Sequence, residues 1–268
     1  MAGGLAELPF AGAVDWNAPW LAPWRELGPR VALQVQGGNA VHGALQQAQA
    51  WATDSALVVR FCDHAALPLR TAYEAFIHRH RSVPTRDNLH DFFNGLVWLR
   101  FPRAKQRLNE LQAQAIAADG VRPVRGPLRD ALTVFDENGA LLQAPPALWD
   151  ALRARDWQRL FVQQRPLWRD ARLTLFGHAL LEKLVSPRKP MVAHVHPAPP
   201  AMNSVAKLDA WLANAMQPEP WSRKPFVPLP VLGVPGWWPA NDAPGFYDDA
   251  EVFRPPRNPR GNFPSSLV

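Results

Sequence analysis

A single cysteine, Cys62, stands in 268 residues, so no disulfide closes within the chain and packing and hydrogen bonding must hold the fold. A reducing compartment suits such a composition. Long apolar runs are lacking too: the best stretch, 92–99, is broken by Asn94 and bounded by Asp91 and Arg100. A membrane-spanning helix needs roughly 18 uninterrupted apolar residues, so no membrane contact is expected. The amino terminus sets no basic side chain ahead of an apolar segment, which is how a secretory signal is built, and the expected location is cytoplasmic. Also missing are a G-x-S-x-G elbow, a G-x-x-x-x-G-K-[ST] loop, a G-x-G-x-x-G turn and any paired C-x-x-C. Serine hydrolases, P-loop nucleotide hydrolysis, dinucleotide redox chemistry and zinc ribbons thereby lose their usual support.

What is present is a core. Hydrophobic residues make up 47% of the chain, with 12 Trp and 13 Phe, a composition that disordered proteins do not have. The formal charge is +6 and the pI about 10.1, which suits phosphate-rich partners. Arginine outnumbers lysine and Ala and Pro are abundant, as a GC-rich coding bias leaves on any solvated surface. The charge therefore leaves nucleic-acid binding and coding bias as alternatives.

The pattern predicts an α+β fold: a mainly helical core over residues 1–217 with a small antiparallel sheet, and a Pro-rich ordered arm over 218–268. Trp16, Trp20 and Trp24 lie among prolines in a segment expected to wrap on the body, with a short helix near 22–27. Helices are expected over 40–52, 68–80, 89–101, 103–118, 145–155, 157–163, 178–185 and 204–216. Asp87 or Asn88 is placed to cap the central one. Strands are expected over 56–62, 172–176 and 191–196. A β-hairpin is expected from 131–135 and 140–142 around the Asp136–Gly139 loop. Prolines deny regular structure after Pro218, yet the aromatics at 236–249 imply an ordered arm rather than a disordered tail.

The run NLHDFFNGLVWLRFP at 88–102 reads as an apolar helix with His90, Asp91 and Asn94 as the polar side chains of its body. Buried polar groups left without partners cost about 1–3 kcal/mol each, so this trio marks a site. On a helical wheel the three share a flank beside Trp98 and Phe101. His90, Asp91 and Asn94 are the candidate catalytic residues, in which a carboxylate orients a base or a metal is held. The bland alternative is a helix-start network, with Asp91 favoured by the macrodipole. His178 and Glu182, four apart on one helical face, can converge on one ion. His194 and His196 alternate on a strand. The expected metal ligands are His90, Asp91, His178, Glu182 and His194. Asp136 and Glu137 read as turn residues of the hairpin. An HNH-nuclease reading of Asn88, His90 and Asn94 lacks its upstream histidine.

The segments VPTRDNLHDFFNGLVWLRFPRAK at 83–105, LTVFDENG at 132–139, GHALLEK at 177–183 and the GWWP to FYDD arm at 236–249 together resemble a bacterial family catalogued as domain of unknown function 3025. The likeness spans about Trp16 to Arg254. It implies a single-domain protein whose arm belongs to the domain, and it brings no reaction with it. Two functions follow from the residues. One is a metal-dependent hydrolase built on the His/Asp/Asn/Glu set, with a divalent metal as cofactor and a small-molecule or nucleic-acid ligand. The other is a non-enzymatic module docking protein or RNA through exposed Trp and Arg side chains.

Overall fold

The computed structural model describes residues 12–51, 59–120, 126–243 and 245–255. Helices dominate and small sheets accompany them, so the fold is α+β. After a 3₁₀ segment at Pro19–Trp24, α1 spans Leu27–Gln36 and α2 spans Val41–Ala48. In α2 the buried side chains Val41, Ala44, Leu45 and Ala48 recur at three- and four-residue steps, the stripe of a helix facing a core. Strand β1 (Arg60–Asp63) follows, then α3 (Tyr73–His80) and β2 (Ser82–Thr85). β1 and β2 pair in parallel, Arg60 opposite Ser82 and Asp63 opposite Thr85, with α3 carried in the crossover. Residues 56–58 of the expected first strand lie outside the described residues. β2 had no counterpart among the expected elements, because Pro84 argues against a strand; an edge position tolerates it.

The central helix, α4, spans Leu89–Arg100, and Asn88 caps it by accepting the Asp91 amide at 2.8 Å. Every residue from Asp91 to Leu99 is buried, so the helix runs through the middle of the core. Its fit against α2 depends on Gly95, where an added Cβ would lie 2.1 Å from Cδ1 of Leu45. Next come α5 (Pro102–Asp119) and α6 (Pro127–Asn138), each opened by a proline at its first position. The two amides at the start of α5, Arg103 and Ala104, bond the Asp209 carboxylate at 3.1 and 2.8 Å.

The expected hairpin at 131–142 is not formed. Residues 131–138 belong to α6, with Ala131, Leu132 and Phe135 buried on its inner face, and the chain enters β3 (Gly139–Gln143) directly from the helix. Thr133, Val134 and Phe135 suit a strand locally, but Phe135 joins Leu128, Ala131 and Leu132 in a helical stripe that finds a core to face, and packing overrides β propensity. Beyond α7 (Pro146–Ala154), a π-helical turn at Arg159–Gln163 and a 3₁₀ turn at Arg165–Asp170 lead to β4 (Arg172–Leu175). α8 (His178–Lys183), β5 (Val192–Pro197), α9 (Val205–Ala215), α10 (Pro218–Ser222) and β6 (Val227–Pro230) complete the regular elements.

The main sheet has the order β4-β3-β5-β6. It is mixed rather than antiparallel as expected: β3 runs antiparallel to β4 but parallel to β5, and β5 antiparallel to β6. The long connection through α7, β4 and α8 is what permits a parallel β3–β5 pair. Two further expectations are corrected. Residues 27–36 are helical, and the Pro-rich segment contributes α10 and the edge strand β6, whose Pro228 and Pro230 are compatible with an edge. The segment's aromatics Phe246, Tyr247 and Phe253 are buried, with Tyr247 stacked on Phe161 at 5.1 Å between ring centroids. None of the twelve tryptophans is exposed, and Trp16, Trp51, Trp211, Trp237 and Trp238 are half-buried. No helix among the described residues is long and apolar enough to cross a membrane.

Candidate metal centre

Three helix ends meet at one point. The first turn of α4 supplies His90, the last turn of α6 supplies Asp136 and Glu137, and the short helix α8 supplies His178 from its first residue and Glu182 from its last turn. The α6–α8 junction depends on Gly177, where a Cβ would stand 2.5 Å from both the Glu137 carbonyl oxygen and the Asn138 nitrogen. Without a side chain there, the Phe176 and Gly177 amides both donate to the Gly139 carbonyl, at 2.9 and 2.8 Å. His178 is thereby set directly beside Glu137. Carboxylates in the last turn of a helix oppose its macrodipole, at a cost of about 0.3–1 kcal/mol each. Asp136 and Glu137 accept that position next to two histidines.

The imidazoles of His90 and His178 meet edge-on, ring centroids 4.6 Å apart and planes at 77°, with their Nε2 atoms 3.0 Å apart. Oε2 of Glu137 lies 3.7 Å from Nε2 of His178. One ligand atom from each of His90, Glu137 and His178 fits within 4.8 Å of the others, a set compatible with holding a metal ion. Behind the first ring, Nδ1 of His90 donates to Oε2 of Glu182 at 2.8 Å. Behind the second, Nδ1 of His178 faces Oδ2 of Asp136 at 3.8 Å and has no hydrogen-bond partner among the described residues. His178 is only 5% exposed at its side chain, whereas His90, Glu137 and Glu182 are each about a third exposed, so solvent reaches one side of the cluster.

Below the cluster lies a buried polar chain. Nζ of Lys105 is 2.6 Å from Oδ1 of Asp136 and 2.9 Å from Oδ1 of Asn94, and it lies 5.4 Å from the ring centroid of Trp98. Nδ2 of Asn94 donates to the Tyr73 hydroxyl at 3.2 Å. Burial takes the His178 imidazole down to about 4; Lys105 and His90 add to that effect and Asp136 opposes it. The ring is therefore uncharged at neutral pH, the state in which a nitrogen can bind a cation. Burial pushes the Asp136 carboxyl up, but Lys105 and His178 outweigh it and the net shift is downward. Glu137 is raised by burial and by Asp136.

The structure thus brings His90, His178 and Glu182 together. It does not bring Asp91, Asn94 or His194 to the same point. Asp91 is turned to Arg86, accepting its backbone amide at 2.6 Å and its guanidinium at 3.0 and 3.1 Å, which closes the loop before α4. Asn94 reaches the cluster only through Lys105. His194 sits on β5 edge-to-face with Phe226, 6.0 Å between centroids, and burial lowers its pKa with Lys224 adding to the effect. His196 stacks on Trp221. Sequence reasoning missed Glu137 as a potential ligand and Lys105 as a buried cation. The readable signal for Glu137 was the Leu128, Ala131, Leu132, Phe135 stripe after Pro127, which places 136 and 137 in a last helical turn. For Lys105 no local signal exists.

A family model described as "Protein of unknown function (DUF3025)" matches residues 59–257. No curated protein and no solved structure matches the chain.

Proposed function

For this protein, which belongs to the DUF3025 family, we propose a metal-dependent hydrolase whose divalent cation is held by His90, His178 and Glu137. The observation that carries the reading is the convergence of those three side chains from α4, α6 and α8. Two imidazole nitrogens on one zinc ion, each at ~2.0–2.1 Å in tetrahedral geometry, stand about 3.3 Å apart. The Nε2 atoms are already 3.0 Å apart, so a small ring movement suffices. Two histidines and a glutamate form the ligand set of several catalytic zinc sites, which keep a further position open for water or substrate. Partial exposure of His90 and Glu137 supplies that opening.

Two further features support the reading. Metal-bound histidines commonly pass their other ring N–H to a carboxylate, and Glu182 takes that place for His90. The local charge also calls for a cation. Lys105 balances Asp136, while the ion-pair partners of Glu137 and Glu182 among the described residues are histidines. When both rings are neutral, Glu137 and Glu182 keep no ion pair with lysine or arginine among the described residues, although Lys183 acts on Glu137 from farther off, and a divalent ion can offset their charge.

When bound, such a cation polarises an ester or amide oxygen and lowers the pKa of a coordinated water toward neutrality, the chemistry of phosphoester or amide hydrolysis. The chain's own residues do the rest. His90 and His178 present lone pairs, Glu182 fixes the His90 ring, and the Asp91–Arg86 pair holds the loop leading into α4. The test is metal analysis of the purified full-length protein together with its His90→Ala and Glu137→Gln variants, and hydrolysis of a nitrophenyl phosphodiester. About one equivalent of zinc, manganese or iron is expected in the wild type and much less in the variants. A metal-free protein whose melting temperature ignores chelators overturns the proposal.

A further inference from the structure

Which ring nitrogen of His178 carries the proton follows from its neighbours. A carboxylate only accepts hydrogen bonds, so the 2.8 Å contact with Glu182 puts a hydrogen on Nδ1 of His90. In its uncharged form, His90 then offers a lone pair at Nε2. The 3.0 Å contact between the two Nε2 atoms therefore needs the hydrogen on Nε2 of His178. Nδ1 of His178 is left with a lone pair, and what it faces is a second acceptor, Oδ2 of Asp136 at 3.8 Å. Two acceptors cannot bond, which accounts for the long distance and for this buried nitrogen having no hydrogen-bond partner among the described residues.

We infer that Asp136 is the positioning residue for His178: it stands ready to accept Nδ1–H, so that cation loading moves the ring's proton from Nε2 to Nδ1 and locks the imidazole toward the ion. The inference rests on the metal-centre reading above. The ring keeps one proton throughout, exchanged between its nitrogens through solvent, so no net proton is taken up or released at His178. Asp136 is suited to the task because its other oxygen is occupied. Lys105 clamps Oδ1 at 2.6 Å, Asn94 braces Lys105 at 2.9 Å, and Tyr73 holds Asn94 at 3.2 Å. Oδ2 cannot swing away from the histidine without breaking that chain. Both imidazoles would then be backed by carboxylates, Glu182 from the open side and Asp136 from the buried side.

The experiment is long-range ¹H–¹⁵N correlation on full-length protein labelled with ¹⁵N-histidine, without and with Zn²⁺ as the probe. The expected result is His178 as the Nε2–H tautomer without zinc and as Nδ1–H with it. In Asp136→Asn the side-chain amide can donate to Nδ1 and hold the metal-free tautomer, so zinc affinity, measured by chelator competition, should fall about 10- to 100-fold. Because that substitution leaves Lys105 without its carboxylate, the Lys105→Met/Asp136→Asn double variant is measured beside it and should show the same loss. A metal-free His178 already in the Nδ1–H form, or wild-type zinc affinity in either folded variant, overturns the inference while leaving the metal centre intact. Wild-type protein that takes up no zinc, with a His178 signal unmoved by it, overturns both.

Discussion

Replacing Lys105 by methionine tests the buried end of the site most directly. The lysine side chain is 4% exposed and Asp136 11%, their contact is 2.6 Å, and Asn94 is the ammonium's other partner. Methionine keeps much of the volume and removes the charge, so the cost is that of a carboxylate left buried without its cation, about 3–5 kcal/mol. Asp136 has one escape, which is to take up a proton. Counted from the usual 3.8, protonating it at pH 7 costs about 4 kcal/mol at 1.36 kcal/mol per unit, which falls inside that range. For a chain of this size the loss corresponds to a fall in melting temperature on the order of 6–20 °C. The pH dependence has a definite sign. The folded-state pKa of Asp136 is depressed, so its stabilisation is present above the usual carboxylate range and is lost as pH falls through the lower folded value. The gap between wild type and variant should therefore be widest near neutral pH and narrow in acid. Urea denaturation at both pH values measures it. Adding Asp136→Asn should restore most of the loss, since a neutral pair replaces a broken ionic one. A single variant costing under about 1 kcal/mol, or a double variant no better than the single, would refute the claim that this buried pair is mutually dependent.

Two other outcomes are expected. Glu74, whose carboxyl accepts from Asn109, is raised from 4.5 to about 7 by burial, with Asp136 adding and Lys105 opposing. A raised folded pKa means that stability is lost as pH climbs from the unfolded value through the folded one, here by at most about 3 kcal/mol because Glu74 keeps some exposure. Glu74→Gln should match wild type near pH 4.5 and exceed it at pH 8 in urea titrations; a difference that does not vary with pH would contradict this. Gly177→Ala forces a methyl against the Glu137 carbonyl and the Asn138 nitrogen. It should cost about 1–3 kcal/mol by overpacking and lower the zinc content, as α8 is pushed off α6; a variant with wild-type stability and zinc content would show the junction to be slack.

Much of the helical framework was legible along the chain because its signals are local. Asn88 caps, Pro102 opens a helix, and the stripes of α2, α4 and α9 repeat at helical steps whatever lies opposite them. The His90 segment could be ranked first because polar side chains in an otherwise apolar helix must be answered by something. Local signals failed where two states suited the same residues. Val134 and Phe135 before Gly139 suit a hairpin as well as a helix end, and only the core beneath the buried face of α6 decides. That error also hid Glu137, because a carboxylate in a turn faces water whereas one in a last helical turn can face a neighbouring helix.

Composition and periodicity by themselves determined an α+β fold dominated by helices, a chain without internal disulfides, and a His90 that had to be answered by a partner. Only the tertiary structure decided who answers that histidine: Glu182 and His178 across about ninety residues of chain, with Arg86 drawing Asp91 aside and Lys105 buried beneath Asp136. The physical reason is that helix formation depends on neighbours three or four residues away, whereas the pairing of buried charges depends on which helix ends the packing brings together, and no short window of sequence contains that information.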